Sequence, residues 1–330
     1  MPPTDASRIV TVRQFGAVLA TIGAVVTGCN GSTKAFPASR PTTTSSAPAP
    51  ARPRPLPPAP WWGVTVDDAS DASRADAIVD AARTARESTG STLFTRIVFD
   101  NNAPPSTYAP LVRRLQPVSY LMGELVDSSD IRKLSVAAYA ERTKRYLAAL
   151  RGSIDLWEVG NEVNGDWTGP SSAVVAKVSN AYDQVQVAGL RSALTVYYNP
   201  GCSETRSRDM FTWITAELPA RIKRGLDVVL VSYYEDDCNG LQPSTQQWQN
   251  VFDRLHAIFP KAKLGFGETG THDDASVTHK RETMQRYYGL RIRGDNYVGG
   301  YFWWYYAEDC LPAGRSLLWP TLMWVMRATP

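Results

Sequence analysis

Two peptides each hold an apolar run that stops at a glutamate: Trp157-Glu158-Val159-Gly160-Asn161-Glu162 and Gly265-Phe266-Gly267-Glu268-Thr269-Gly270. A strand covered on both faces cannot keep an ionised carboxylate without a partner, so an acid at its last residue is expected to face a cleft. Two such acids suit the cleavage of a glycosidic bond. One carboxyl group protonates the leaving oxygen, and the other attacks or stabilises the developing oxocarbenium carbon. Glu162 and Glu268 are the candidates.

An ordered set of strands must bring them together. Beyond Pro60, short β-rich runs alternate with longer amphipathic segments, eight of each. Strands are expected at Trp61 to Asp67, Phe94 to Phe99, Val118 to Leu125, Ile154 to Gly160, Ala193 to Tyr198, Val228 to Tyr234, Lys263 to Gly267 and Val298 to Tyr305. Between them, stretches such as Arg74 to Glu87, Val136 to Leu150, Ala173 to Leu190, Arg208 to Arg224, Thr245 to Phe259 and Val277 to Arg293 repeat apolar residues at helical spacing. Ser172, Ser207, Ser244 and Ser276 are placed as N-caps, and Gly90, Gly152, Gly225 and Gly294 as C-caps. This alternation implies parallel strands with helical crossovers. Eight repeats in about 270 residues fit an α/β fold of the (β/α)8 TIM-barrel kind, and no Gly-x-Gly-x-x-Gly turn follows the first strand. In such a barrel chemistry sits at the carboxyl ends of the strands, where both glutamates fall.

Asn161-Glu162 closing the fourth strand and Glu268 closing the seventh resemble clan A glycoside hydrolases, the retaining (β/α)8 glycosidases, over Trp61 to Pro330. The resemblance implies that Glu162 is the acid/base and Glu268 the nucleophile. A carboxyl separation of about 5–5.5 Å would give net retention at the anomeric carbon. Mutual repulsion should raise the pKa of one of the two, leaving Glu268 as the ionised member. The resemblance further implies that Arg96 on the second strand keeps Glu268 charged; the alternative is an ion pair with Glu158, which shares the inward parity of its strand. Asn161 would hold the sugar 2-hydroxyl or simply cap the strand. Tyr234, with Tyr233 as rival, takes the place of a tyrosine that orients the nucleophile. Trp304, chosen over Trp303, offers an indole face to the sugar. Trp62, Trp167 and Tyr198 are either further platforms or packing. The pattern departs from the clan at Ser232, where several families place a histidine, at the third strand, which has none, and at Val163, where proline is frequent. His256, His272 and His279 are read as surface residues.

No cofactor is implied, and no Cys/His spacing resembles a zinc site. A calcium site from Glu235 to Asp237 has too little spacing information behind it. The strand-end loops carry Asp67, Asp68, Asp100, Asp127, Asp166, Glu235, Asp236, Asp237, Asp273, Asp274, Glu308 and Asp309. If these line the cleft, its potential favours neutral or amino-sugar chains over uronic-acid polymers. The net charge of +3 and the lack of basic runs interleaved with aromatics exclude a nucleic-acid partner.

The first residues read as an export signal. Arg8 and Arg13 precede a twelve-residue apolar stretch, Phe15 to Val26, too short to span a bilayer. Val26, Gly28 and Cys29 resemble a bacterial lipoprotein lipobox, which implies removal of residues 1–28 and a lipid anchor on Cys29; an ordinary secretory signal is the alternative. Asn30 favours the outer membrane of the cell envelope. Residues 29–60, with nine prolines from Pro37 to Pro60, read as a tether whose arginines Arg40, Arg52 and Arg54 serve solubility. Residues 61–330 form the catalytic domain, expected to be a monomer. Export permits a disulfide, and Cys202 with Cys238, in neighbouring loops, is the expected pair, with Cys238–Cys310 competing. The function expected is hydrolysis of an extracellular or cell-envelope polysaccharide. A glycan-binding lipoprotein on a non-catalytic barrel and a transglycosylase using the same glutamates are the rivals.

Overall fold

Eight runs of buried residues form parallel strands, each bonded to the next in sequence order and the last to the first. They are β1 (Trp61–Val66), β2 (Leu93–Val98), β3 (Tyr120–Glu124), β4 (Leu156–Glu158), β5 (Ser192–Tyr197), β6 (Val228–Tyr233), β7 (Lys263–Thr269) and β8 (Gly299–Trp303). The computed structural model describes residues 54–328. The export signal, Cys29 and the tether up to residue 53 lie outside the described residues. The closed barrel is the expected (β/α)8 fold.

The helices around it are α1 (Ala75–Thr89), α2 (Pro105–Leu115), α3 (Val136–Leu150), α4 (Ser171–Val187), α5 (Met210–Glu217), α6 (Ala220–Gly225), α7 (Thr245–Ile258), α8 (Val277–Tyr288), α9 (Tyr306–Cys310) and α10 (Trp319–Ala328). Ser244 and Ser276 cap α7 and α8, and Gly90 closes α1 in the left-handed conformation. The other expected caps shift. Ser172 lies inside α4 after Pro170, and Asp209 rather than Ser207 accepts from the Thr212 amide to start α5. The helix read from Arg208 to Arg224 is two, because Pro219 lacks the amide that would continue the ladder. Gly152 follows the C-cap Arg151, Gly225 ends α6 itself, and Gly294 lies beyond α8, which Gly289 closes.

The barrel interior has two storeys. Its floor is an apolar cluster including Trp61, Phe94, Met122, Leu156, Ala193, Leu230 and Phe302. Two residues further along five strands, on the same face by strand alternation, stand Arg96, Glu124, Glu158, Thr195 and Ser232, all fully buried. Gly300 lets β8 close: at φ 96 it takes a backbone that other residues avoid, and a Cβ there would sit 2.2 Å from the Phe266 carbonyl oxygen.

The packed chain reaches back to Arg54, contrary to the reading of that arginine as a solubilising tether residue. Its guanidinium bonds both Asp155 oxygens at 2.7 and 2.8 Å and the Gln116 carbonyl at 3.1 Å. It also stacks over Tyr120, 4.2 Å from the ring centroid. Arg191 donates to the Arg54 carbonyl, Trp61 Nε1 donates to that of Pro57, and Leu56 packs on the floor cluster. A cation on a flexible stem finds carbonyls and a carboxylate together only in the folded barrel, so composition gave no sign of it. Among the described residues, no helix is long and apolar enough to cross a membrane.

Candidate active site

Both sequence-predicted glutamates lie at the carboxyl-terminal end of the barrel, 4% and 5% exposed. Glu268 is the penultimate residue of β7. Glu162 is not on β4, which ends at Glu158; the chain continues to bond β5 through Val159 and Gly160 and then turns at Glu162 with φ 45. A non-glycine residue in the left-handed region is strained, and such strain persists only where surrounding contacts hold it. Hydroxyls on its carboxylate supply that hold, together with the Gly165 amide, which donates to its carbonyl at 2.8 Å.

Each oxygen of Glu162 meets a hydroxyl: Ser128 Oγ lies 2.7 Å from Oε2 and Ser232 Oγ 2.6 Å from Oε1. Among the described residues no cation touches it. Burial pushes its carboxyl up to about 8, repulsion from Glu268 adds to this, and the two hydroxyls pull it partly back. At neutral pH Glu162 therefore holds a proton.

Glu268 has the opposite surroundings. Arg96 Nη1 lies 2.6 Å from Oε2, the Tyr234 hydroxyl donates to Oε1 at 2.8 Å, and Asn161 Nδ2 lies 3.5 Å from Oε2. Burial raises its carboxyl, against the opposing pull of the Arg96 charge. A carboxylate in direct contact with a guanidinium is the ionised member of the pair.

The two partners considered for Arg96 are both present. Its Nε and Nη2 reach the two oxygens of Glu158, at 2.8 and 3.3 Å, while Nη1 serves Glu268. Thr195 also donates to Glu158. The third carboxyl on this cation is Glu124, 3.0 Å from Nη2. Neither Glu124 oxygen has a hydrogen-bond partner, and burial drives its pKa well above the ordinary carboxylate range despite Arg96. Glu124 escaped the sequence reading although it closes Tyr120-Leu121-Met122-Gly123-Glu124, the same signal of an apolar run ending in glutamate. Ser128, in a loop without periodicity, left no signal.

The aromatic alternatives separate by strand parity. The Tyr233 hydroxyl donates to the Leu241 carbonyl, and its ring packs among Tyr198, Trp248 and Tyr287. Trp303 is fully buried with Nε1 on Asp309, whereas Trp304 is half-buried, its ring centroid 5.7 Å from Arg96 Cζ. Trp62 is core, stacked on Tyr288, and Tyr198 packs on Trp248, so neither is a platform. Trp167 bonds Ser128 through Nε1 at 3.0 Å.

Many of the acidic loop residues are paired. Arg286 and Tyr287 take the oxygens of Glu235, His279 meets Asp236, His272 meets Asp237, Lys280 meets Asp309, and Arg74 bridges Asp68 and Glu308. Both Glu235 oxygens are thus taken by protein partners, and among the twelve loop acids six, Asp68, Glu235, Asp236, Asp237, Glu308 and Asp309, have a basic partner, which reduces the negative charge expected from sequence. Asp67 stands beside Asp68 and Glu308; burial first, then those neighbours, push it to about 7. A cavity of about 330 Å³ lined by Phe252, His256, Leu264 and Tyr297 contains none of these groups. A disulfide joins Cys202 to Cys238, linking the loops after β5 and β6, and Cys310 is free and buried in α9.

The fold and site together define a (β/α)8-barrel protein with two buried carboxyls of opposite surroundings at its strand ends. No protein-family model matches the chain, and no curated protein matches it. Among solved structures it is similar to Gas2p of Saccharomyces cerevisiae in complex with laminaritriose and laminaritetraose. Identity is 14% and the TM-score 0.53, over 81% of this chain and 64% of that one, so the chain spans less than two thirds of that structure's length. It is also similar to a beta-glucosidase from Thermotoga maritima in complex with cyclophellitol, at 10% identity and a TM-score of 0.53, over 76% of this chain and 88% of that one. At such identities the likeness is one of fold.

Proposed function

We propose that this chain is a retaining glycoside hydrolase of the clan A type, with Glu162 as acid/base and Glu268 as nucleophile. The observation that carries the reading is the contrast between them: Glu162 has only hydroxyls on its oxygens and holds a proton to about pH 8, while Glu268 has a guanidinium. Glu268 attacks the anomeric carbon as Glu162 protonates the departing oxygen, giving a glycosyl-enzyme. Glu162, now a carboxylate, takes a proton from the water that releases the sugar. Asn161, whose buried Oδ1 has no partner among the described residues, engages a sugar hydroxyl in this reading, and Trp304 stacks on the ring. Two structures of similar fold, Gas2p with laminari-oligosaccharides and a beta-glucosidase, support a carbohydrate substrate.

The substrate is an extracellular or cell-envelope polysaccharide. Loss of residues 1–28 and acylation of Cys29 would leave the barrel tethered to the envelope, on the outer membrane; Cys29→Ser should then move the protein from the membrane to the soluble fraction.

The deciding experiment uses Glu268→Ala on a glycan that the native chain cleaves. Activity should vanish, return in part with azide and yield a glycosyl azide of inverted configuration, while native product retains its configuration. Binding without turnover in the native chain would indicate a glycan-binding protein, and products longer than the substrate a transglycosylase.

A further inference from the structure

On the Oε2 side of Glu162 the hydrogen bonds have a fixed direction. Trp167 Nε1 carries a hydrogen and no lone pair, so its 3.0 Å contact with Ser128 Oγ is a donation to the hydroxyl. Ser128 owns one hydrogen, and its other neighbour is Glu162 Oε2 at 2.7 Å. With the indole on one lone pair, that hydrogen has Oε2 as its acceptor. Oε2 then receives a bond whether Glu162 is charged or neutral, which leaves Oε1 as the oxygen that carries the acid proton. Oε1 faces Ser232 on β6, whose hydroxyl, not fixed by an indole as Ser128 is, donates to Oε1 of the ionised acid and turns to accept from Oε1–H of the neutral one; the Ser232 Cα pairs with that of Glu268 on β7.

The indole is held for this purpose by its surroundings. Gly165 lies beneath it, and a Cβ there would come within 2.6 Å of Trp167 Cε2. Tyr197 meets it edge-on, with ring centroids 5.2 Å apart. Trp167 thus sits at the head of a short relay rather than standing free in the cleft.

We propose that Trp167 and Ser128 are positioning residues whose directed hydrogen bonds keep the transferable proton on Glu162 Oε1, the oxygen that faces Ser232 of β6. The proposal rests on the reading of Glu162 as the acid/base. In the first step the Oε1–H bond breaks and the departing sugar oxygen takes the proton; Oε2 keeps its bond from Ser128 throughout. In the second step Oε1 recovers a proton from the attacking water. A donor fixed on Oε2 favours the carboxylate, so the relay also restrains the upward push of burial on this acid.

Infrared spectroscopy of the full chain reads the proton without any substrate. The carboxyl C=O band lost in Glu162→Gln identifies the residue, and its pH titration gives the midpoint. Ser128→Ala should raise that midpoint by roughly half to one pH unit and Trp167→Phe by less, in line with the loss of one hydrogen bond. Ser128→Ala should also move the C=O stretch to higher frequency, because the carbonyl oxygen is Oε2; Ser128→Thr, which keeps the hydroxyl, should restore both. An unchanged frequency in Ser128→Ala, or a midpoint that stays or falls in Trp167→Phe, overturns the proposal. Should Ser128→Ala fail to fold, Trp167→Phe alone decides it. If the spectra behave as expected but the native chain cleaves no glycan, the glycosidase reading fails and the relay stands.

Discussion

Ser232 and Glu268 are Cα partners across β6 and β7, yet the Ser232 hydroxyl bonds the other acid, Glu162, 2.6 Å from Oε1. The β6–β7 register shifts just before this pair, between Val231 and Ser232. Tyr234, two residues on and so on the same face, serves Glu268 instead. One strand end therefore ties both carboxyls into a single cluster, and a charge placed on one is felt by the other.

Glu162 titrates near 8 in the fold against an ordinary value of 4.5, so the folded chain binds this proton more tightly than the unfolded chain. Its contribution to stability is full below about pH 4.5 and is lost as the pH rises towards 8. Glu162→Gln, which cannot ionise, should match native melting at the acid end and exceed it progressively up to pH 8, by a few kcal/mol at most. Scanning calorimetry across that range checks this; a constant difference would contradict it.

Among the described residues Arg96 is the one cation contacting Glu124, Glu158 and Glu268. Arg96→Met leaves three buried carboxyls without it, and breaking a buried pair typically costs about 3–5 kcal/mol. Unfolding by denaturant should show at least that loss. Adding Glu158→Gln to the same chain should recover part of it, because one of the stranded charges is removed.

Glu124 is expected to be neutral. Glu124→Gln should therefore change stability by less than about 1 kcal/mol, whereas removal of an ionised buried partner would cost about 3–5 kcal/mol. Denaturant midpoints of the two chains separate these outcomes, and an infrared carboxyl band that disappears in Glu124→Gln gives a second check.

Arg54 belongs to the folded unit. Arg54→Ala should lower stability by roughly 1–3 kcal/mol through loss of hydrogen bonds to a charged partner. A chain beginning at Trp61 should melt below one beginning at Arg52. Equal melting temperatures would show the docking to be without weight.

The Cys202–Cys238 bridge closes a separation of 36 residues. Its reduction should lower stability by about 2–4 kcal/mol. Cys310, buried in α9, should resist thiol reagents until the chain unfolds. A reagent titre of one thiol in the native oxidised chain carrying Cys29→Ser would be the contrary result.

Much of this was written locally. Eight buried runs separated by helical periods specify a (β/α)8 barrel, because strand and helix periods are properties of neighbouring residues and each face must be buried somewhere. The same parity shows that only one of Trp303 and Trp304, and one of Tyr233 and Tyr234, can face inward. Caps were less legible: Ser207 and Asp209 are equally good capping residues by type, and the turn geometry chooses between them.

The amino-acid sequence by itself determined the barrel and placed glutamates at its strand ends. It offered Glu268 and Glu158 as alternatives for Arg96 and did not determine the rest of their partners. Arg96 meets Glu268 across 172 residues of chain and shares its charge with Glu124 and Glu158. Ser128, Trp167 and Arg54 find their contacts in the same way. Electrostatic and hydrogen-bond partnership depends on distances of a few ångströms between residues remote in the chain, and barrel closure alone sets those distances.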